Sequence, residues 1–454
     1  MYLMQPLKII IPPHAGYFST LRFLAALPGK NSRFALKQFS RRSLRYGGRG
    51  PRKISNACIR DMIFKVQKGF VSCRFFHGHP ICSAAGGIFK MVVTAVLVFG
   101  LISPAGLGAE GWKEATTPRQ WTFPRDHGSH PEYRTEWWYF TGNLQDDRRN
   151  RYGYQLTFFR YGLALRPKRP VNAWSIRDVY LAHFALTDGG RNAFHYAERV
   201  SRAGPGLAGV KGQGMNVRVL GWSAAMEGTR IDLKASHGAM TLTLRLTPAK
   251  PVVFHGERGL SKKGPGAGEA SFYYSFTDLK TEGTIGAPGM GAPEAVSGTS
   301  WFDHEFGSNQ MTQDKAGWDW FALRLSDGRD LMVYSLRKKD GTVEKESSGT
   351  LVERDGTSRR LRLSDIETTV LSYWKSVKSA GIYPAAWRVR IPGASIDVTV
   401  NPIVAGQELV TTAAAPITYW EGAVSGSGTS RGKEVAVEGY VELTGYAGAL
   451  GGIF

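Results

Sequence analysis

Cysteine is nearly absent from this chain of 454 residues: Cys58, Cys73 and Cys82 are the only three. The long stretch after them therefore excludes disulfides, thiolate zinc sites, a cysteine nucleophile and a cysteine-linked lipid anchor. Acidic residues are scarce at one end only. Residues 1–90 hold 16 Lys and Arg against one acid, Asp61, while the remainder carries 42 basic and 36 acidic residues, so the net charge of +21 is a local property. A nucleic-acid reading of the whole protein loses its support with that count. No apolar run approaches the roughly 18 residues that a membrane-crossing helix needs, so no transmembrane span is expected in the mature form. With 21% charged and 42% hydrophobic residues the chain is neither disordered nor fibrous in composition, and it is long enough for two or three domains.

The most apolar stretch is Val92–Ile102, eleven residues after Lys90 and Met91 that lead to Leu107, Gly108 and Ala109. As a helix it would rise about 17 Å, too little for a bilayer but right for the apolar part of a secretory signal. Met91 is read as the effective start, residues 91–109 as a signal peptide with cleavage near Ala109, and the protein as periplasmic or secreted. A buried first-domain helix is the rival reading. Residues 1–90 show neither helical nor strand periodicity and read as upstream sequence; a basic tail or an organelle-targeting segment are the alternatives.

From residue 110 onward the chain is built of short alternating segments between Gly, Pro, Asn and Asp. Trp137–Leu144, Tyr154–Phe159, Val179–Ala185, Met240–Leu246, Asp319–Leu325, Asp330–Arg337, Ala386–Ile391, Ser395–Val400 and Val435–Leu443 are rich in β-branched and aromatic residues and read as strands. Ser326–Arg329 between two of them is a hairpin turn. Strands at this spacing without intervening helices predict an all-β protein of antiparallel sheets, and the length suits two barrels of roughly 150–190 residues. Gly283–Gly298 is expected to be a loop and Ser425 to sit in a flexible turn. The domain boundary is expected near Gly307–Gly317, giving domains of 110–308 and 309–454.

Six ordered blocks carry a resemblance: Glu136–Leu144, Tyr273–Ser275, Gly298–Gly307, Gly317–Phe321, Tyr419–Ala423 and Gly439–Tyr446. Together they resemble the secreted lipocalin-like family that includes the bacterial carotenoid 1,2-hydratases and the AttH-like proteins, over about residues 120–452. The resemblance implies two lipocalin-like β-barrels packed side by side, a bacterial envelope location, an apolar isoprenoid, carotenoid or lipid ligand, and no redox cofactor. In the hydratase branch it implies addition of water to a terminal isoprenoid double bond. In the AttH-like branch it implies an association with ABC transporters acting on lipids.

Hydrating an isolated alkene requires an acid kept dry, a surface that tolerates a carbocation, and one admitted water. In the strand Trp301–Phe306 the period of two puts Trp301, Asp303 and Glu305 on one face and Phe302, His304 and Phe306 on the other. In Glu136–Phe140 it sets Glu136, Trp138 and Phe140 against Trp137 and Tyr139. His304 and Asp303 are the first candidates for proton chemistry, followed by Glu136, Glu305 and Asp319. Trp138, Trp301, Trp318, Trp320, Tyr334 and Tyr139 are the candidate ligand-binding walls. The plainer alternative is that Asp303 and His304 form a hydrogen-bonded latch between sheets, that Arg337, Arg324 or Arg134 neutralises the carboxylates, and that the aromatics fill barrel interiors. Around Tyr334 the strand reads Ser335, Leu336 and Arg337, offering no second acid.

Metal and hydrolase chemistry find little footing. A metal site could use only His304 with Asp303 or Glu305, and neither Ser300 nor Ser425 lies in a nucleophile elbow. Three functions stay open: a carrier of an isoprenoid or lipid in or between two barrels, a cofactor-free hydratase, and an interaction domain whose aromatics are only core.

Overall fold

A computed structural model describes residues 6–8, 22–24, 111–163, 165, 176–204, 206–412 and 417–450. The proposed signal peptide, the three cysteines and nearly all of residues 1–90 lie outside the described residues. The chain falls into two units, Met1–Gly100 and Leu101–Phe454. In the first, β1 (Pro6–Lys8) pairs antiparallel with β2 (Arg22–Leu24).

The second unit holds two antiparallel sheets. The first sheet contains β3 (Thr135–Gln145), β4 (Arg151–Gly162), β5 (Asp178–Asp188), β6 (Ala193–Arg202), β7 (Ala208–Val210), β8 (Asn216–Val219), β9 (Trp222–Glu227), β10 (Arg230–His237), β11 (Met240–Pro248), β12 (Val253–Phe254), β13 (Leu260–Lys262), β14 (Ala270–Gly286) and β15 (Glu294–Gly307). Its order is β6-β5-β4-β3-β15-β14-β11-β10-β9-β8-β7, with β12 and β13 paired to β14. The second sheet contains β16 (Lys315–Leu325), β17 (Asp330–Lys338), β18 (Ser348–Val352), β19 (Ser358–Arg362), β20 (Glu367–Lys375), β21 (Ile382–Ile391), β22 (Ile396–Pro402), β23 (Glu408–Val410), β24 (Thr418–Ser430) and β25 (Lys433–Thr444). Its order is β19-β18-β17-β16-β25-β24-β22-β21-β20, with β23 paired to β24. Both curl into barrel-like bodies, as the all-β reading expects.

Burial patterns show why the strands differ in composition. In β10 and β11 apolar residues alternate with exposed ones, Ile231, Leu233, Leu242, Leu244 and Leu246 pointing inward, because only one face is covered. In β5, and in β15 from Trp301 on, both faces are covered, so nearly every residue is buried. The inner face of each sheet packs its own barrel core, around Trp138, Phe158, Trp222 and Phe302 in one and Phe321, Trp387 and Trp420 in the other. The outer faces meet each other, and a third cluster, with Tyr139, Tyr273, Trp301, Trp320, Tyr334 and Tyr440, forms the seam. The inner faces are thus packed with side chains, and a cavity lies between the two sheets.

Contact between the sheets is close. A Cβ on Gly153 would stand 2.5 Å from Ala423 Cβ, so glycine is what lets β4 approach β24. Polar ties cross the seam as well: Thr187 Oγ1 donates to Gln407 Oε1 at 2.6 Å, Tyr139 Oη to Glu421 Oε1 at 2.6 Å and Lys250 Nζ to Asp330 Oδ2 at 2.6 Å. The Ser326–Arg329 hairpin is present, with Gly328 at φ +90°.

Two local expectations are corrected. Gly283–Gly298 is not one loop: Gly283 pairs with Val296 and Gly298 with Leu144, and only residues 287–293 connect β14 to β15. Ser425 lies inside β24, paired with Glu438, where Gly426 and Gly428 let the backbone of β22 approach at Thr399 and Asp397. In both places glycine serves close strand approach rather than a turn, and composition alone does not separate the two uses.

Candidate active site

Two rows of side chains on the outer face of the first sheet make the floor of a cavity. One row runs Asp303, Tyr139, Thr157 and His183 across β15, β3, β4 and β5, each residue directly paired with the next. The neighbouring row is Tyr273, Glu305, Trp137, Phe159 and Leu181. The second sheet supplies the roof, where Tyr334, Trp320 and Glu442 are paired in line across β17, β16 and β25, beside Trp318, Leu336 and Tyr419. Between floor and roof lie about 1070 Å³ of space, open mouth included, walled mainly by aromatic and aliphatic carbon.

The polar groups converge at one end. Asp303 accepts hydrogen bonds from Tyr273 Oη at 2.8 Å, Trp301 Nε1 at 2.6 Å and Ser275 Oγ, and it is nearly fully buried. Burial nevertheless dominates those donors, and with Glu305 nearby it pushes the Asp303 carboxyl up to about 7. Glu442 accepts from Trp318 Nε1 at 2.9 Å, and burial, with the charges of Asp303 and Glu305, pushes it up to about 7 as well. Next to it Glu421 is held well above the usual carboxyl range by burial and by Glu442. Lys263 Nζ lies 3.0 Å from Glu305 and 4.2 Å from the centre of the Tyr334 ring; burial disfavours its ammonium, but Glu305, Tyr334 and Asp303 together hold its pKa above the usual lysine value. Trp320 Nε1 donates to Tyr273 Oη at 3.1 Å, so the aromatic wall also orients Asp303's donor.

The structure divides the candidates read from sequence. Asp303, Glu305, Tyr139, Trp318, Trp320 and Tyr334 line the cavity. Trp301 does not, but it donates to Asp303 and meets Trp320 edge-on at 6.2 Å. His304, Glu136 and Trp138 face the other way, into the first barrel, because consecutive strand residues point to opposite faces. His304 therefore does not pair with Asp303. Its Nε2 lies 3.0 Å from Glu136 Oε1, its Nδ1 3.0 Å from Tyr274 Oη, and its ring stacks on Trp138. Asp319 points into the second barrel, where Arg337 Nε donates to it at 2.9 Å and Tyr446 Oη at 3.0 Å. That is the neutralising role weighed for Arg337.

The metal reading also changes partners. His304 cannot share an ion with Asp303 or Glu305 across the sheet; among the described residues, those whose ligand atoms do converge are His130, Glu136 and His304. All three are buried, and Glu136 already accepts from Arg160 Nε at 3.0 Å, His130 Nδ1 at 2.8 Å and the His130 backbone N–H at 3.0 Å. Arg160 reaches on to Asp178 at 2.9 Å. As hydrogen bonds the nest is complete, with the guanidinium as its counter-charge.

Sequence reasoning missed Glu442, Glu421, Lys263, Tyr273 and His183 as site members. Glu421, Glu442 and Tyr273 stand inside the blocks that carry the family resemblance, so their signal was present without a role. Lys263 and His183 carry no local signal, since only sheet register brings them to the cavity.

The sequence profile of a family described as AttH-like matches residues 114–446. A crystal structure of an AttH from Nitrosomonas europaea is similar at 32% identity and a TM-score of 0.66, covering 74% of this chain and 99% of its own. Kievitone hydratase from Nectria haematococca shares the fold at 18% identity and a TM-score of 0.57, covering 74% and 97%. A search of the curated proteins finds no match.

Proposed function

The chain belongs to the AttH-like family, and from that premise we propose that it binds an unsaturated apolar molecule of the isoprenoid class between its two sheets and adds water across a double bond. The observation that carries the reading is the pair Asp303 and Glu442, two carboxyl groups held near neutral pKa in a cavity walled by Trp318, Trp320 and Tyr334. Glu442 Oε2 accepts from Trp318, leaving Oε1 to carry a proton toward the ligand. Both oxygens of Asp303 accept hydrogen bonds, which suits the ionised form and a base. Glu442 gives its proton to the alkene carbon, the indole and phenol faces stabilise the cation, and water adds while its proton passes to Asp303. One proton moves from one carboxyl to the other, and exchange with solvent resets the pair.

The test is incubation of the purified protein with lycopene or neurosporene, then mass spectrometry of the extract. A product heavier by one water is expected from the wild type and none from Glu442→Gln or Asp303→Asn. Bound but unchanged polyene in the wild type would replace hydration by the carrier reading. Export to the bacterial envelope belongs to the same proposal and rests on Val92–Ile102, while service to a lipid transporter rests on the family resemblance alone; the N-terminal residue of exported protein should lie near Glu110.

A further inference from the structure

His183 lies in the same floor row as Asp303, three strands away across β3 and β4. At about 4.8 Å per strand the two stand about 14 Å apart along one cavity. The imidazole is 4% exposed and lines the cavity, between Phe159 and Tyr419. Its Nδ1 is 2.7 Å from Tyr419 Oη, and that hydroxyl already accepts from Gln155 Nε2 at 3.1 Å. Gln155 Nε2 can only donate to that hydroxyl, so the acceptor available to the buried Tyr419 proton is Nδ1, and this arrangement places the ring proton on Nε2. Nε2 has no hydrogen-bond partner among the described residues. A donor so placed, beside Phe159, Leu181 and Ile417 in a lining that also holds Gln155, Tyr161 and Tyr419, is left for the ligand.

We propose that the cavity prefers, over a pure hydrocarbon of the same length, a ligand with an oxygen, as hydroxyl or carbonyl, that accepts a hydrogen bond from His183 Nε2 while its double bond lies at Asp303 and Glu442. This rests on the cavity being the binding site proposed above, and it adds the chemical class and the direction in which the ligand lies. Burial keeps His183 neutral by lowering its pKa to about 4, so the interaction is a donor's and not a cation's. Tyr419 and Gln155 are positioning residues that set the tautomer. An apolar pocket without such a donor favours a hydrocarbon over its alcohol, because the hydroxyl would lose water and gain nothing. A pocket with the donor reverses the order.

Farnesene and farnesol, a hydrocarbon and its alcohol of about the required length, separate the cases by quenching of tryptophan fluorescence on the full chain. Farnesol is expected to bind roughly 10-fold tighter than farnesene to the wild type. His183→Phe should abolish or invert that preference, His183→Gln, which keeps a donor, should restore part of it, and Lys234→Ala, at an exposed position of β10 outside the cavity lining, should leave it in place. Tyr419→Phe should weaken it by freeing the tautomer. Equal binding of both, or a preference kept with His183→Phe, overturns the oxygen at His183 while leaving the cavity reading intact. No binding of either overturns both.

Discussion

Glu442 and Asp303 stay near pKa 7 because burial outweighs the few donors each carboxyl has, so hydration at this site needs one of them protonated and the other ionised. The rate should therefore describe a bell centred near pH 7, falling on the alkaline side as the acid loses its proton and on the acid side as the base gains one. Glu442→Gln removes the acid and should lower kcat by about 10²–10⁴ with ligand affinity kept, measured by product formation and by fluorescence titration. A flat pH profile from pH 5 to 9 would remove both carboxyls from the mechanism.

At the scale of the element, β15 divides two jobs between its faces. Asp303 and Glu305 work on the outer face, while His304 is tied on the inner face to Glu136 and, through it, to Arg160. Burial alone would raise the Glu136 carboxyl, but His130, His304 and Arg160 hold it well below its usual range. A depressed carboxyl stabilises the fold above its unfolded pKa and loses that contribution as pH falls through the folded one. Glu136→Gln leaves Arg160 short of a buried partner and should cost about 3–5 kcal/mol in urea unfolding at pH 7, with the deficit shrinking in strong acid. His304→Gln should likewise destabilise while leaving the turnover of the folded fraction within about threefold, since no general acid is removed. A loss of turnover on the scale of Glu442→Gln would return His304 to the mechanism. Much of this element was legible: the alternation in Trp301–Phe306 predicts which side chains share a face. It could not say which face met the cavity, and the expected pairing of Asp303 with His304 failed on that same alternation.

The whole molecule puts its cavity where two barrels meet, so ligand binding and the seam between sheets are linked. Gly153→Val would drive a side chain into Ala423 and Tyr440 across the seam, and should cost about 1–3 kcal/mol while also lowering ligand affinity. Substitution at Gly238, a turn glycine in the first sheet with nothing near its Cβ, should leave affinity unchanged. A ligand that binds only the folded pair of sheets stabilises it by mass action, about 2.7 kcal/mol at a hundred times its Kd, so one unfolding transition should move as a unit with ligand. Two transitions, of which only one responds, would show that a single sheet holds the ligand.

Local pattern alone determined that this chain is made of antiparallel strands, which faces alternate along Glu136–Phe140 and Trp301–Phe306, and that acids and aromatics gather in a few blocks. These properties come from side-chain period and propensity, which act over a few residues. Only the tertiary structure decided that the inner faces are packed with side chains, that the outer faces enclose the cavity, and that Glu442 and His183 belong to it. Those facts depend on register between strands far apart in sequence and on the packing of two sheets. Burial, which raises Asp303 and leaves His183 neutral, exists only once that packing has formed.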